Sequence, residues 1–457
     1  NAMHTAQHTA ATARRGTTGS GTALSPAAGI PSGVPTVGDS WRLNVELNDA
    51  CSTGTATTAT VRVVGTKCII VTDDANPAGG PPTSGGINGV DLQTVDDACE
   101  NAIYPSITGL YGTPTDLDNN GRVVLFYTAA VNRLAATAEP NPLWALHLTR
   151  DLLSQTECPT SNVGEVIYMM AGDPTGTINS NVRTNSSVIG TTEGHGAHEL
   201  GHLVLDARRL INAAPFNEAW LDEGLAGEAQ ERSFYGFTSW RTPAAPLIPL
   251  LNIQLSTLNT GAQASIRVAG FNTFQNYLFQ SAGKPWLQAP GNVGLANTTT
   301  NLLAQRGASW LFLRYAADRY AAGSSTQEAA FFNNLANGSR TGTNNLLDVI
   351  GSDPTLWMRD FLASVYIDDS AIANLDVAGL PYRTSSWNFR SVWGGLGGFP
   401  LQLPTLTNNV AANLNLGAGG GANYIRIVVN AATAGQLALT PPASGSWDAW
   451  YMVLRRN

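Results

Sequence analysis

Charged residues are scarce in this 457-residue chain, since aspartate, glutamate, lysine and arginine make up only 13 % of it, against about 25 % in an average soluble domain. Lysine occurs only at Lys67 and Lys284, and the formal net charge is −8. Nucleic acids and anionic membranes are bound through clusters of Lys and Arg, so neither is an expected partner. No run of about 18 apolar residues occurs, and the sequence therefore predicts no membrane span.

Cysteine is also rare: the chain has Cys51, Cys68, Cys99 and Cys158, without a CxxC pair. A zinc finger is excluded, because no histidine lies near them at zinc-ligand spacing. An even cysteine count in a low-charge, Thr- and Gly-rich chain is typical of exported proteins, so we predict a secreted protein with two disulfides, the alternative being four idle thiols. Proximity in sequence favours Cys51–Cys68 and Cys99–Cys158 among the three possible pairings.

Composition and periodicity divide the chain into four segments. Residues 1–36 are rich in Ala, Thr, Gly, Ser and Pro, which predicts a flexible leader, and the Asn-Ala that precedes the first Met is typical of a cloning scar. Alternating and β-branched runs predict an N-terminal β unit over 37–90. Residues 91–378 should form the main domain, with a sheet subdomain to about residue 210 and helices after it, and residues 379–457 a C-terminal β unit.

The most specific motif is His198-Glu199-Leu200-Gly201-His202, an HExxH sequence. On a helix of about 3.6 residues per turn, His198 and His202 share a face and both imidazoles can bind one cation. Glu199 lies beside them and can act as a general base toward a water on that cation. The motif therefore predicts a Zn²⁺ site that catalyses hydrolysis.

The third ligand of this site has to be a carboxylate from further along the chain. The other histidines, His4, His8, His147 and His195, all precede the motif. Five carboxylates follow within a short stretch, and Glu223 is the favoured ligand among them. The five are Glu218, Asp222, Glu223, Glu228 and Glu231.

The HExxH motif and the later sequence Trp220-Leu221-Asp222-Glu223-Gly224 together resemble the gluzincin metallopeptidases. In that group the glutamate of a W-L-x-E-G segment is the third zinc ligand, which implies that role for Glu223. More narrowly, residues 90–370 resemble the hyicolysin family of secreted bacterial neutral metalloproteases, through Ile103-Tyr104-Pro105, Asp116–Gly121 and Gly307–Tyr315. The resemblance implies an α+β fold with a zincin-like catalytic domain, in which a mixed sheet and the HExxH helix precede a helical subdomain and small β units flank both.

The sequence differs in two ways from the aminopeptidase branch of the gluzincins, and these differences refine the expected activity. Twenty residues separate His202 from Glu223, whereas the aminopeptidase branch of the group usually has eighteen, so the connecting loop is longer. The G-x-M-E-N segment with which that branch holds a substrate amino group is missing. We therefore expect an endopeptidase that acts on protein or peptide substrates. The alternatives are a catalytically silent surface or adhesion protein and, less favoured, a metal-dependent hydrolase of non-peptide amides or esters.

The group that stabilises an oxyanion is left open by the sequence, because no histidine follows His202. A tyrosine, an arginine or His195 has to provide it. His195 is expected in the loop before the HExxH helix. Tyr277, Tyr315 and Tyr235 are the candidate tyrosines.

Two further carboxylate motifs have alternative interpretations. Asp116, Asp118 and Asn120 begin like a calcium loop, but Tyr127 stands where the bidentate Glu should be. An Asx-rich turn is therefore favoured over a Ca²⁺ site. Asp206, one turn past His202, would either orient a ligand imidazole or lie solvated at the end of the helix.

Overall fold

A computed structural model of the chain shows an α+β protein with a mixed sheet of six strands. It describes residues 2–17, 28–48, 51–52, 54–77, 89–139, 142–237, 253–259, 303–368, 381–395, 401, 403–406, 413–414, 420–428, 436–440 and 450–454. Within these ranges no helix combines the length and the apolar character that crossing a membrane requires.

The six strands lie in the order β1-β2-β3-β4-β6-β5, so β5 is at one edge. The two neighbour pairs β3–β4 and β4–β6 are parallel, and the others are antiparallel. The strands are β1 Ser40–Asn44, β2 Ala56–Val64, β3 Cys68–Asp73, β4 Val123–Thr128, β5 Ala145–His147 and β6 Val166–Met170.

The helices follow from α1 near the N-terminus to α12. They are α1 Ala2–Arg14, α2 Gly89–Ala98, α3 Tyr104–Tyr111, α4 Ala129–Asn132, α5 Asn185–Ile211, α6 Ala219–Phe237, α7 Leu255–Leu258, α8 Leu303–Ala321, α9 Ser325–Asn337, α10 Gly342–Ile350, α11 Pro354–Ile367 and α12 Phe389–Gly395. A π-helical turn, Cys99–Ile103, joins α2 to α3.

The sheet is buried on both faces, as the alternation in β4 illustrates. Val123 and Leu125 belong to the core shared with the helices, whereas Val124 and Phe126 pack in a second core on the opposite face. Successive side chains of a strand point to opposite faces, so a strand buried on both sides is apolar throughout. Helix α5 contacts β5 and β6 on the helical face, and α6 packs between α5 and α8. The HExxH segment is thereby buried between sheet and helices.

The predicted N-terminal β unit is not separate from the main domain. Strands β1, β2 and β3 form three strands of the same sheet as β4 and β6. Cys68 in β3 pairs in register with Val123 in β4, and this parallel pairing continues the sheet across the proposed boundary. Only short strands occur in the described part of the C-terminal segment, where β7 Thr405–Leu406 pairs with β8 Arg426–Ile427.

The predicted flexible leader contains an ordered helix, α1. His8 Nε2 lies 2.9 Å from Asp206 Oδ1, and the imidazole stacks on Phe216 with ring centroids 4.6 Å apart. Gln7 Oε1 accepts a hydrogen bond from the Thr149 backbone N–H at 3.2 Å. Burial lowers the pKa of His8, but Asp206 outweighs it and raises that pKa to about 9. Polar contacts with residues distant in sequence position this helix. The prediction of a flexible leader, which rested on the lack of an apolar period, is therefore wrong for residues 2–14.

Two disulfides are present, as predicted, but both predicted pairings are wrong. Cys51 is bonded to Cys158 and Cys68 to Cys99. Cys68 begins β3 and Cys99 follows α2, the helix that crosses over the sheet, so the fold brings these two together. Cys51 and Cys158 are 107 residues apart in sequence. The tertiary fold, rather than the shortest sequence separation, therefore determines which thiols pair.

The Cys51→Ser/Cys158→Ser double variant should have a free energy of unfolding lower by about 4–5 kcal/mol, because the chain-entropy treatment assigns that stabilisation to a loop of about 100 residues. The 31-residue Cys68–Cys99 loop should contribute about 3–4 kcal/mol in the same treatment. Denaturant unfolding of this variant and of Cys68→Ser/Cys99→Ser measures the two decreases in the free energy of unfolding. A non-reduced peptide map that links Cys51 to Cys68 would contradict the pairing.

Candidate metal centre

Helices α5 and α6 bring the two histidines and the favoured carboxylate of the HExxH site together. His198 Nε2 and His202 Nε2 are 3.2 Å apart. Glu223 Oε2 lies 3.3 Å from His198 Nε2 and 3.8 Å from His202 Nε2. All three residues are buried, and one ligand atom of each lies within 4.8 Å of the others, so the group could hold a metal ion.

The close approach of the two helices depends on Gly201, which stands directly before His202. A Cβ at this position would lie 2.9 Å from the Cβ of Ala229 and 3.3 Å from the Cα of Ala226, both on α6. A side chain here would force α6 away from α5. The glycine inside the HExxH motif thus lets Glu223 reach the two imidazoles.

Asp222 orients the imidazole of His202. Its Oδ2 lies 2.8 Å from His202 Nδ1, and a hydrogen on Nδ1 would leave the lone pair of Nε2 facing the centre. Burial holds the pKa of His202 well below its usual range, which keeps the ring neutral. Burial raises the pKa of Glu223, but Arg306 and then His198 outweigh it and hold that pKa well below its usual range. Electron-rich atoms therefore converge on one point, where a cation would be stabilised.

Glu199 lies beside this point and contacts the edge strand of the sheet. Its Oε2 accepts a hydrogen bond from the His147 backbone N–H of β5 at 2.9 Å. Burial and the neighbouring Glu223 raise the pKa of Glu199 to about 8. A cation at the centre favours the ionised carboxylate and therefore shifts this pKa downward.

Arg306 is a site residue that the sequence analysis did not single out. It lies on α8, and its Nη2 is 3.0 Å from Glu223 Oε1. Its side chain retains 17 % exposure while that of Glu223 retains 3 %. The guanidinium therefore reaches the centre from the more open side and directs the other oxygen, Oε2, toward the imidazoles. No sequence signal links an arginine 83 positions after Glu223 to this site.

His195 is part of α5 rather than of a preceding loop, and its ring packs near Trp144. Its Nδ1 lies 3.0 Å from the Thr191 carbonyl, and burial lowers its pKa to about 4. The neutral ring then donates from Nδ1, which leaves Nε2 without a hydrogen. His195 in this state cannot donate a hydrogen bond to an oxyanion.

The two candidate tyrosines that the structure describes bind other groups instead of the HExxH site. The hydroxyl of Tyr315 donates to the Pro381 carbonyl, and that of Tyr235 donates to Glu231. Tyr277 lies outside the described residues. Arg306 is therefore the described residue that best meets the expectation of an arginine near the reacting centre.

Both interpretations of Asp206 were wrong. The residue is 1 % exposed, so it does not lie solvated at a helix end. Its Oδ1 meets His8, and its Oδ2 lies 3.5 Å from His147 Nε2 and accepts from the Thr149 hydroxyl at 2.6 Å. Asp222, rather than Asp206, contacts an imidazole of the candidate metal centre.

Asp222→Ala is expected to weaken metal binding by about 10- to 100-fold, the usual effect of removing a carboxylate that orients a ligand imidazole. Glu218→Gln is the matched control, because Glu218 also lies next to α6 but accepts from the Trp220 indole at 3.1 Å instead of facing the centre. Competition with a chromophoric chelator measures both affinities. Equal affinities in the two variants would contradict the role of Asp222.

The donor set of two imidazoles and one carboxylate, with a second carboxylate beside it, can bind a divalent cation and accept a proton from a nearby water. Contacts to Asp222, Arg306 and the His147 N–H position His202, Glu223 and Glu199, respectively. Comparison with models of protein families and with curated proteins finds no match for this chain.

Proposed function

We propose that the protein is an exported zinc-dependent endopeptidase of the gluzincin type. The observation that supports this most is the convergence of His198 Nε2, His202 Nε2 and Glu223 Oε2 with Glu199 next to them. Zincin-like architecture and the likeness to the hyicolysin family belong to the same proposal. They rest on the HExxH and W-L-x-E-G motifs.

Zinc fits this donor set better than a harder cation does. Two imidazoles and one glutamate are the protein ligands of one class of catalytic zinc sites, which keep a further position open. With zinc–ligand bonds of about 2.0–2.1 Å, tetrahedral ligands lie about 3.3 Å apart. The separations of 3.2, 3.3 and 3.8 Å between the three atoms are close to that value.

The reaction would divide its tasks among five side chains and one backbone N–H. Zinc, when bound by His198, His202 and Glu223, lowers the pKa of a water to about 7 and polarises the scissile carbonyl. Glu199 accepts the proton of the attacking water and delivers it to the leaving amine. The His147 N–H holds the Glu199 carboxylate in place, and Arg306 adds positive charge where the oxyanion develops.

A peptide is the favoured substrate because the HExxH motif and the W-L-x-E-G segment Trp220–Gly224 resemble those of the gluzincin metallopeptidases. The missing G-x-M-E-N segment supports cleavage within chains rather than at amino termini. Both disulfides support an oxidising, extracellular location.

A diverse mixture of peptides, incubated with the protein and examined by mass spectrometry, tests the proposal. We expect cleavage at internal bonds, its loss after chelation and its return when zinc is added. No cleavage in any condition would favour the silent surface or adhesion protein. Hydrolysis of esters and non-peptide amides without peptide cleavage would favour the third alternative.

A further inference from the structure

A second group of carboxylates lies away from the HExxH site, in the loop before β4. Asp116 and Asp118 were interpreted as an Asx-rich turn because the loop lacks the twelfth-position Glu of a calcium loop. The hydrogen bonds of that turn are present, from the Asn120 N–H to Asp118 Oδ1 at 3.1 Å and from the Gly121 N–H to Asp116 Oδ1 at 2.9 Å. The Asn120 side-chain amide also donates to Asp118 Oδ2 at 2.6 Å, so each Asp118 oxygen accepts one hydrogen bond and keeps a further lone pair for a ligand.

The missing carboxylate comes from the neighbouring strand. Glu165 directly precedes β6, which pairs in parallel with β4 in the register Val124–Val166. One carboxylate oxygen each of Asp116, Asp118 and Glu165 lies within 4.8 Å of the others. A calcium loop would have a glutamate at the position of Tyr127. The parallel register of β4 and β6 instead brings Glu165 close to the two aspartates.

The surroundings of the Glu165 carboxylate indicate that one of its oxygens binds a ligand. The residue is 0 % exposed, and its Oε1 accepts from the Thr115 hydroxyl at 2.5 Å and from the Leu117 N–H at 3.3 Å. Its Oε2 is buried and has no hydrogen-bond partner. A buried carboxylate oxygen without a partner is costly unless a cation or a proton compensates it.

No basic side chain offsets this charge among the described residues, where none of the three carboxylates forms an ion pair. Arg122 is close in sequence but donates to the carbonyls of Gly65 and Asn120. Burial and then Glu165 raise the pKa of Asp118 to about 7. The three carboxylates therefore repel one another when ionised, and a cation or a proton has to offset that repulsion.

We propose that Asp116, Asp118 and Glu165 bind a structural Ca²⁺ that ties the loop before β4 to the start of β6. The donors are all oxygens, without His or Cys, which favours a hard cation over zinc. With Ca²⁺–oxygen bonds of about 2.3–2.6 Å, opposite ligands lie about 4.6–5.2 Å apart, so one ion can bridge a group of this spread. The Gly33 N–H donates to the Asp118 carbonyl at 2.7 Å, so the ion also stabilises the segment that leads into β1.

Thermal unfolding of chelator-treated protein, with and without CaCl₂, tests this site. Wild type is expected to gain at least about 3 °C in Tm at saturating Ca²⁺, since binding to the native state alone stabilises it. Glu165→Gln and Asp118→Asn should lose that gain. In calcium-free buffer both variants should melt at or above the wild-type temperature, because each removes a repelling carboxylate.

Two controls separate this site from the zinc centre and from nonspecific effects. Asp97→Asn removes an exposed carboxylate of α2 and should keep the full response. His198→Ala should also keep it, so the result does not depend on the peptidase proposal. Absence of a Ca²⁺ response in wild type, its persistence in Glu165→Gln, or an equal response to Mg²⁺ would each overturn the proposal.

Discussion

Replacing Glu199 with Gln is expected to lower peptide turnover by about 10²- to 10⁴-fold, which is the usual contribution of general-base catalysis and equals roughly 3–5 kcal/mol of barrier. The amide keeps the shape of the side chain and can still accept the His147 N–H hydrogen bond. His198, His202 and Glu223 are unchanged, so metal binding and folding should be retained. The variant lacks only the proton acceptor.

Turnover of a quenched-fluorescent peptide and metal content are measured on the same samples of wild type and Glu199→Gln. Glu193→Gln is the matched control, because Glu193 is a partly buried carboxylate on the same helix whose pKa burial raises to about 7. That variant should cleave at the wild-type rate. Equal turnover in Glu199→Gln and wild type would contradict the mechanism, whereas loss of bound metal would show that Glu199 is itself a ligand.

Glu223→Ala should weaken zinc binding by more than the 10- to 100-fold expected for Asp222→Ala, because it removes a ligand rather than a group that orients one. It also leaves the Arg306 guanidinium, 3.0 Å from Glu223 in the native protein, facing the cation without the carboxylate between them. Like charges at this distance repel, which adds to the loss.

The double variant Glu223→Ala/Arg306→Ala separates the two effects. It should bind zinc more tightly than Glu223→Ala does, yet far more weakly than wild type. A chelator-competition titration measures the three affinities, and circular dichroism checks that each variant is folded. If Glu223→Ala binds zinc more tightly than Asp222→Ala, the third ligand has been assigned to the wrong residue.

The candidate ligand set was accessible to sequence reasoning because the HExxH spacing depends only on the geometry of a helix. His198 and His202 share a face in any helix, and Glu223 followed from a motif on the next helix. Asp222 was named among the five candidate carboxylates, but its contact with His202 was not predicted, since the direction of its side chain depends on how α6 packs on α5. Arg306 and the His147 N–H come from elements that only the tertiary fold brings to the site.

The β character of residues 37–90 was predicted, whereas β5 and the grouping of the strands into one sheet were not. Periodicity identifies β1 and β4 individually, whereas the β3–β4 pairing that merges the predicted N-terminal unit with the main domain is a long-range contact. The same limit explains the wrong disulfide partners and the unexpected order of α1, whose His8 meets Asp206 at 2.9 Å across 198 positions of sequence. The local sequence pattern predicts whether a segment forms a helix or a strand. Which other segments it packs against depends on contacts between residues that are distant in sequence.

The central claim is that one zinc ion at the HExxH centre makes this protein a peptidase. Its most direct test is a titration of metal-free protein with zinc while cleavage of a quenched-fluorescent peptide is recorded. The account predicts no cleavage at the start, a linear rise and a plateau at one zinc per chain. Full activity before zinc is added, or no activity at any zinc concentration with a broad peptide set, would contradict it.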